Sequence, residues 1–311
     1  MNRSTLSIFL LVTTAAHAQQ PPPSDPRVTD PFPEVAPEVL EAAAADPGTM
    51  IDMDALLREL EAVDNDIHTF QAQIMWDRRF HLQGDRHIRY GTLVYEVDPS
   101  ADPGVRPRRT FAVEFAELYI DTIKRTERSQ WVFDGQWLIE KNYRDKFYSA
   151  RRLAREGDDI DPLRLGEGPI PLPIGQRREE ILRRYEAEVL PTSDGIAPSA
   201  DDNPEPEELL EARGLIEFLG DAYQLHLVPR EPFRDSDQFR DIRLWYERRS
   251  LSPRMALTIN RSGDESIVQL INVKTNEPLP EGAISIEKPR KSDGWRIEVD
   301  EGRFTAPPPP K

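Results

Sequence analysis

From Phe70 onward, apolar and polar residues alternate with a period of two through most of the chain. The clearest stretch is 241–282. Ile242, Leu244 and Tyr246 alternate with Arg243, Trp245 and Glu247, the pattern of a strand with two different faces. Ser250, Ser252 and Pro253 mark a turn, and Met255, Leu257 and Ile259 share one face of a second strand over 254–260. Arg261-Ser262-Gly263-Asp264 supplies a hairpin turn, and Ile267, Leu270 and Val273 belong to a third strand over 265–274. Asn276, Pro278 and Pro280 end that strand, because proline cannot donate to a ladder. The stretch predicts a three-stranded antiparallel meander.

Elsewhere the period changes with position. Leu56, Leu60, Val63 and Ile67 recur at helical spacing, so 52–65 is predicted as a helix with Asp52 or Asp54 as its cap. Phe70, Ala72, Ile74 and Trp76 then alternate as a strand, and a second strand covers 87–97. Residues 98–109 are a loop by composition. Phe111, Val113 and Phe115 open the next strand, which Leu118 and Ile120 continue or follow, and Asp134-Gly135 centres a hairpin between Trp131 and Ile139. A further strand carries Tyr143, Phe147 and Tyr148.

Residues 162–175 are apolar, irregular and rich in Pro and Gly, and 176–184 form a short helix with Glu179/Arg183 and Glu180/Arg184 pairs. Over 185–189 periodicity fits either a strand or a longer helix. An acidic, Pro-rich loop follows over 190–206, then a helix over 207–219 with Leu209, Leu210, Ile216 and Leu219 as its apolar set. Tyr223, Leu225 and Leu227 mark another strand, as do Ile284 with Ile286 and, last, Trp295 with Ile297. There is no internal repeat.

Composition narrows the class. At 311 residues the chain has room for one large β-domain or two smaller ones, and 38% hydrophobic with 31% charged residues describes a folded protein with a very polar surface. Residues 1–18 have the form of a secretory signal peptide: basic Arg3, an apolar run over 6–14, and Ala16-His17-Ala18 as the cleavage site. Residues 19–50 read as a disordered Pro/Ala-rich tether, 51–300 as the folded domain and 301–311 as a Pro-rich tail. No later run reaches the roughly 18 apolar residues of a membrane span. The absence of cysteine excludes disulfides, a thiolate nucleophile and a lipidated cysteine after the leader. The expected location is therefore periplasmic or secreted. A formal charge of −16 argues against nucleic acid as a partner.

Catalytic chemistry finds little support. His68, His81, His87 and His226 have no spacing that suggests a metal site. The serines lack a Gly-x-Ser-x-Gly elbow, and there is no Gly-rich phosphate loop. The expectation is a protein that is not an enzyme and uses no cofactor or metal. Binding fits better. Many strands and few helices predict a mainly β (α+β) fold with one curled sheet. The large strand residues Phe70, Ile74, Trp76, Phe111, Phe115, Trp131, Phe133, Trp137 and Trp245 would line an apolar cavity if they share its concave face. Ordinary core is the competing role for each of them.

Three stretches resemble the periplasmic lipoprotein carriers of the LolA and LolB type. They are the amphipathic helix running into FQAQI and a strand with an early Gly, the Asp134-Gly135 hairpin, and the 241–282 meander closed by NVKTNEPLPEGAISIEKP. The resemblance spans about 51–299. It implies a single curved antiparallel sheet forming an incomplete β-barrel, with helices packed on the concave face as a lid over a lipid-binding cavity. It favours helix, then strand, over 176–189, and places the lid near 162–175. It implies acyl chains of lipoproteins as cargo, an inner-membrane transporter as donor, an outer-membrane acceptor, and a monomer. An arginine linked to lid movement and release maps to the Arg106, Arg108 and Arg109 region, with Arg109 fitting best. Two other readings stay open: an envelope sensor or interaction module of the same fold with a packed cavity, and a secreted hydrolase.

Overall fold

The computed structural model describes residues 51–98, 107–153, 170–196 and 206–302. The expected signal peptide, tether and most of the Pro-rich tail lie outside these residues, as do Arg106 and much of the acidic loop. The helix expected at 52–65 is α1 (Met53–Asn65), capped by Asp52, whose carboxylate accepts from the Ala55 N–H at 3.1 Å.

Twelve strands form one sheet: β1 (Thr69–Arg79), β2 (Arg86–Asp98), β3 (Arg108–Ile120), β4 (Ile123–Phe133), β5 (Trp137–Asn142), β6 (Phe147–Arg152), β7 (Tyr185–Leu190), β8 (Ala222–Pro229), β9 (Phe239–Glu247), β10 (Pro253–Asn260), β11 (Glu265–Thr275) and β12 (Arg296–Asp300). Their order is β12-β6-β5-β4-β3-β2-β1-β11-β10-β9-β8-β7, so the end strands do not pair and the barrel stays open. The sheet is antiparallel, as expected, with one parallel pairing at its edge, β12 with β6. Helix α2 (Arg178–Arg184) passes directly into β7, the order that the resemblance favours. Helices α3 (Pro206–Leu219) and α4 (Glu231–Arg234) and a 3-10 turn (Lys291–Asp293) complete the described elements.

Bulges bend the sheet. Register shifts occur where β2 meets β3 at Tyr90/Gly91 and where β3 meets β4 at Phe115/Glu117. Gly91 permits the first of these: a Cβ there would lie 2.0 Å from the Glu114 carbonyl oxygen.

Cross-strand pairs assign the two faces. Ile74 with Leu270, Trp76 with Val268, and Leu244 with Ala256 share the inner face. Helices α1 and α2 cover part of it, over Leu225, Leu227, Ile242 and Leu244. On the outer face, Trp245, Met255, Leu257 and Ile267 pack under Leu215 and Leu219 of α3, so this helix is not part of an inner lid. Leu215 takes the core position expected of Leu210, which is 61% exposed. Glu211 fixes α3 by accepting from Arg79 and Arg86, and Arg86 also binds the buried Asp77.

Residues 276–295 are not a strand, although Ile284 and Ile286 suggested one. Between Pro280 and Pro289 the chain crosses the outer face instead of running along it. Lys141 and Lys146 donate to the carbonyls of Glu287 and Asp293 at 2.9 and 3.0 Å, and Trp295 meets Tyr143 edge-on. The crossing delivers β12 to the far edge, beside β6.

Candidate functional site: the aromatic half of the inner face

Strands β1, β2, β3, β4 and β11 bring together Phe70, Ile74, Trp76, Leu93, Tyr95, Phe111, Phe115, Phe133, Val268 and Leu270, all buried, with Trp131 packed against them. Trp76 stacks on Phe115 at 5.8 Å and meets Trp131 edge-on at 5.4 Å, while Phe111 lies 6.3 Å from Phe133. These offset and edge-on arrangements suit the charge distribution of aromatic rings.

Seven of the nine expected lining residues thus share one face. Trp245 and Trp137 do not. Trp245 is fully buried on the outer face beneath α3, where its indole N–H donates to the Thr192 carbonyl at 2.9 Å. Trp245 shares its face of β9 with the part-exposed Arg243 and Glu247, so its size gave no indication of side, although its alternation with Leu244 did. Trp137 is half-buried at the start of β5, and its neighbour Leu138, paired with Phe133, reaches the inner cluster.

Among the described helices, this aromatic patch receives Val63 from α1. It is closed by the segment Ile170-Pro171-Leu172-Pro173-Ile174, every residue of which is buried, with Leu172 at 0% exposure. Ile170, Leu172 and Ile174 belong to the same apolar cluster as Trp76 and Phe115. The alternation of apolar residue and proline is the signal in the sequence: an extended strap with one apolar edge and two positions that cannot donate to a ladder. Gly175 follows with φ 73°, turning the chain toward α2. Gln176 secures the turn. Its amide side chain donates to the carbonyls of Leu172 and Ile174 at 3.3 and 2.9 Å, and its N–H donates to Asp64 of α1 at 3.1 Å.

The chain is similar to several solved structures, at low identity and low TM-score. Neighbours include LolA-superfamily proteins. One from Nitrosomonas europaea has a TM-score of 0.30 and 11% identity, covering 76% of this chain and 98% of that one. An uncharacterized conserved protein from Thermus thermophilus has a TM-score of 0.38 and 10% identity, covering 79% and 97%. MucB, in the MucA/MucB complex of Pseudomonas aeruginosa, has a TM-score of 0.33 and 17% identity, covering 76% and 62%. No family model and no curated protein matches the chain.

Arg109 lies in β3, half-buried and opposite Val97, on the face of Phe111 by alternation. Arg108 donates to the Asp134 carbonyl at 2.8 Å and so braces the Asp134-Gly135 hairpin. Among the described histidines, His226 is held between two carboxylates. Its ring nitrogens lie 2.8 Å from Glu188 and 2.8 Å from Asp241, and Arg243 binds both Asp241 and Asp194. Hydrogen bonding to Asp241, opposed by burial and aided by Glu188, raises the His226 pKa. The cluster lies outside the aromatic patch, on the β7–β9 side of the sheet. Among the described residues no group of three His, Cys, Asp or Glu is arranged to hold a metal, and no helix is long and apolar enough to cross a membrane. A separate groove of about 620 Å³ lies on the outer face, where residues 280–285 pass over β1–β4; Gln71, Gln73, Glu114 and Gln130 line it together with the apolar Val94, Ala112 and Val132.

Proposed function

We propose that this chain is an envelope carrier that holds the acyl chains of a lipoprotein, or of a related amphiphile, against the aromatic half of its inner face. One observation carries the reading: over an apolar patch of the sheet lies a proline-interrupted strap, 170–174, that is buried through its side chains and is not itself a helix. An acyl chain entering in place of Ile170, Leu172 and Ile174 gains about 0.8 kcal/mol per buried methylene. The ladder bonds of the sheet are untouched by that exchange. Transfer is then physical. Cargo passes from an inner-membrane donor to an outer-membrane acceptor with greater affinity, and no covalent step or cofactor is involved. The periplasm is the compartment this role requires, and the resemblance of the sequence to the LolA and LolB carriers supports it.

Native mass spectrometry of protein isolated from its own cell envelope tests the proposal. An added mass that extracts as a lipid or acylated peptide is the expected result. A bare mass, with no uptake of a fluorescent acyl probe, would replace it with the second reading, an interaction module whose inner face is permanently packed. The complete burial of the strap is the observation that favours this second reading.

A further inference from the structure

The aromatic patch has a charged rim. On β1 and β2, Trp76 pairs with Arg89 and Arg78 pairs with His87, so all four share the inner face. The Arg78 guanidinium sits 5.1 Å from the Trp76 ring centre and 4.6 Å from that of Phe80. Arg89 lies 5.9 Å from the same Trp76 ring, and His87 packs edge-on against Phe80 at 4.9 Å. Both arginines are half-buried, yet neither has a carboxylate within ion-pair distance among the described residues. Glu127 and Glu140 act on Arg89, and Asp264 on Arg78, only at longer range. Asp85 and Asp121 do the same at His87.

This arrangement is unfavourable as it stands. Burial lowers the pKa of both arginines, and Arg89 lowers that of Arg78 further. Burial, Arg89 and Arg78 all lower that of His87. Contact with aromatic faces offsets part of the cost of desolvating a cation. Two adjacent desolvated cations still lack the hydrogen-bonded counter-charge that buried charges normally have. The chain has 56 acidic and 40 basic residues, and Arg86, Arg184 and Arg243 show that other part-buried arginines of the domain do find a carboxylate.

We infer that Arg78 and Arg89, with His87 beside them, bind the oxyanion head group of an amphiphile whose chain lies on Trp76 and continues across the inner face. The inference rests on the acyl-binding reading. Trp76 makes the connection: one ring touches both guanidinium groups and also stacks on Phe115 within the apolar patch. A guanidinium presents its donors in a planar fork that matches phosphate or carboxylate oxygens. Both head groups fit this chemistry.

The test uses the mature full-length protein and four ligands: dodecyl phosphate, dodecanoate, neutral monododecanoylglycerol and inorganic phosphate, with affinity read by titration calorimetry. Both anionic amphiphiles are expected to bind about tenfold or more tightly than the neutral one, and far more tightly than inorganic phosphate. The stronger of the two anions identifies the head group. In Arg78→Gln/Arg89→Gln the preference should shrink to within about twofold while the neutral ligand binds as before. Arg78→Lys/Arg89→Lys should keep part of it. Raising salt on the unmodified protein should weaken the anionic ligands selectively, which tests the inference even if a variant folds poorly. Equal affinity for neutral and anionic amphiphiles would overturn this inference and leave the acyl-binding reading intact. Binding of inorganic phosphate as tight as dodecyl phosphate would overturn the link to the chain. No binding of any amphiphile would overturn both.

Discussion

Replacing Leu172 by alanine should loosen the strap without unfolding the sheet. Ile170, Leu172 and Ile174 are at most 1% exposed. Burying each side chain is worth about 1.5–3 kcal/mol, a gross gain of roughly 5–9 kcal/mol. Ordering the segment 170–174 costs about 1–2 kcal/mol of backbone entropy per residue, less at the two prolines whose φ is already fixed, or roughly 4–8 kcal/mol in all. The difference leaves the strap docked by only a few kcal/mol. Truncating Leu172 removes about 2–3 kcal/mol of this, comparable with the whole docking energy. The open population should rise roughly 30- to 150-fold, since each 1.36 kcal/mol is a factor of ten. Apparent affinity for an acyl probe follows the open fraction and should rise until the open form predominates.

A control on the strand side of the same contact sharpens the test. Ile74 on β1 is 1% exposed and is held by ladder bonds to β2 and β11. Ile74→Ala should therefore cost the full 2–5 kcal/mol of global stability typical of a core truncation, about as much as any single core residue of this size, with no gain in affinity. Urea unfolding and probe titration on both variants separate the cases. If Leu172→Ala loses as much global stability as Ile74→Ala and its probe affinity is unchanged, the strap is permanent core and the reasoning fails.

Three other perturbations follow from specific contacts. Gly91→Ala puts a methyl 2.0 Å from the Glu114 carbonyl oxygen, so β2 must move away from β3; a loss of about 2–4 kcal/mol in urea unfolding is expected, and a loss under 0.5 kcal/mol would refute the role given to this bulge. His226 has a raised pKa and Asp241 a lowered one, so the His226 contribution is complete below about pH 6.5 and lost as pH rises through its elevated folded value. The Asp241 contribution is complete above about pH 4 and lost as pH falls, so His226→Gln should flatten the decline in urea midpoint between pH 6 and pH 9. The fully buried Asp237 carboxylate accepts from Arg184 at 2.8 Å and from the Tyr185 hydroxyl at 2.9 Å; Asp237→Ala should cost about 3–5 kcal/mol by removing the buried acceptor that both donors share, measured by urea unfolding.

Local patterns in the sequence were legible where one periodicity prevailed. The 241–282 meander, the Asp134-Gly135 hairpin and the capped first helix all lie where alternation, turn chemistry and capping indicated. Errors arose where a residue faces a neighbour that local pattern does not specify. Ile284 and Ile286 alternate like a strand but lie on a segment crossing other strands, because the destination of β12 is set by an edge more than a hundred residues earlier in the chain. The N-terminal half of β4, from Ile123 to Arg128, is mostly charged and exposed, so only its pairing with β3 makes it a strand. Trp245 illustrates the same limit in the candidate site: its alternation with Leu244 puts it on the other face, and only packing under α3 explains why an aromatic residue is buried there. The rim arginines were hidden for a related reason. Their importance lies in lacking a nearby carboxylate, a property of three-dimensional placement that spacing cannot express.

The two halves of the inner face differ in a way that bears on function. Helices α1 and α2 cover the aliphatic half, over Leu225, Leu227, Ile242 and Leu244. A helix satisfies its own backbone, so it can seal an apolar surface permanently. The aromatic half is sealed by 170–174, where Pro171 and Pro173 have no N–H and the N–H groups of Leu172 and Ile174 make no backbone hydrogen bond among the described residues. Side-chain burial and the Gln176 bonds hold that cover in place, and both are restored when it returns. The division predicts a difference in hydrogen exchange. Amides of Leu172 and Ile174 should exchange through local opening, far faster than those of Ile74 and Leu270 in the ladder beneath, and an acyl ligand should speed their exchange further while leaving the ladder protected. If strap and ladder amides instead exchange at one common rate, the two halves open only together, and the inner face is a single core with no exchangeable cover.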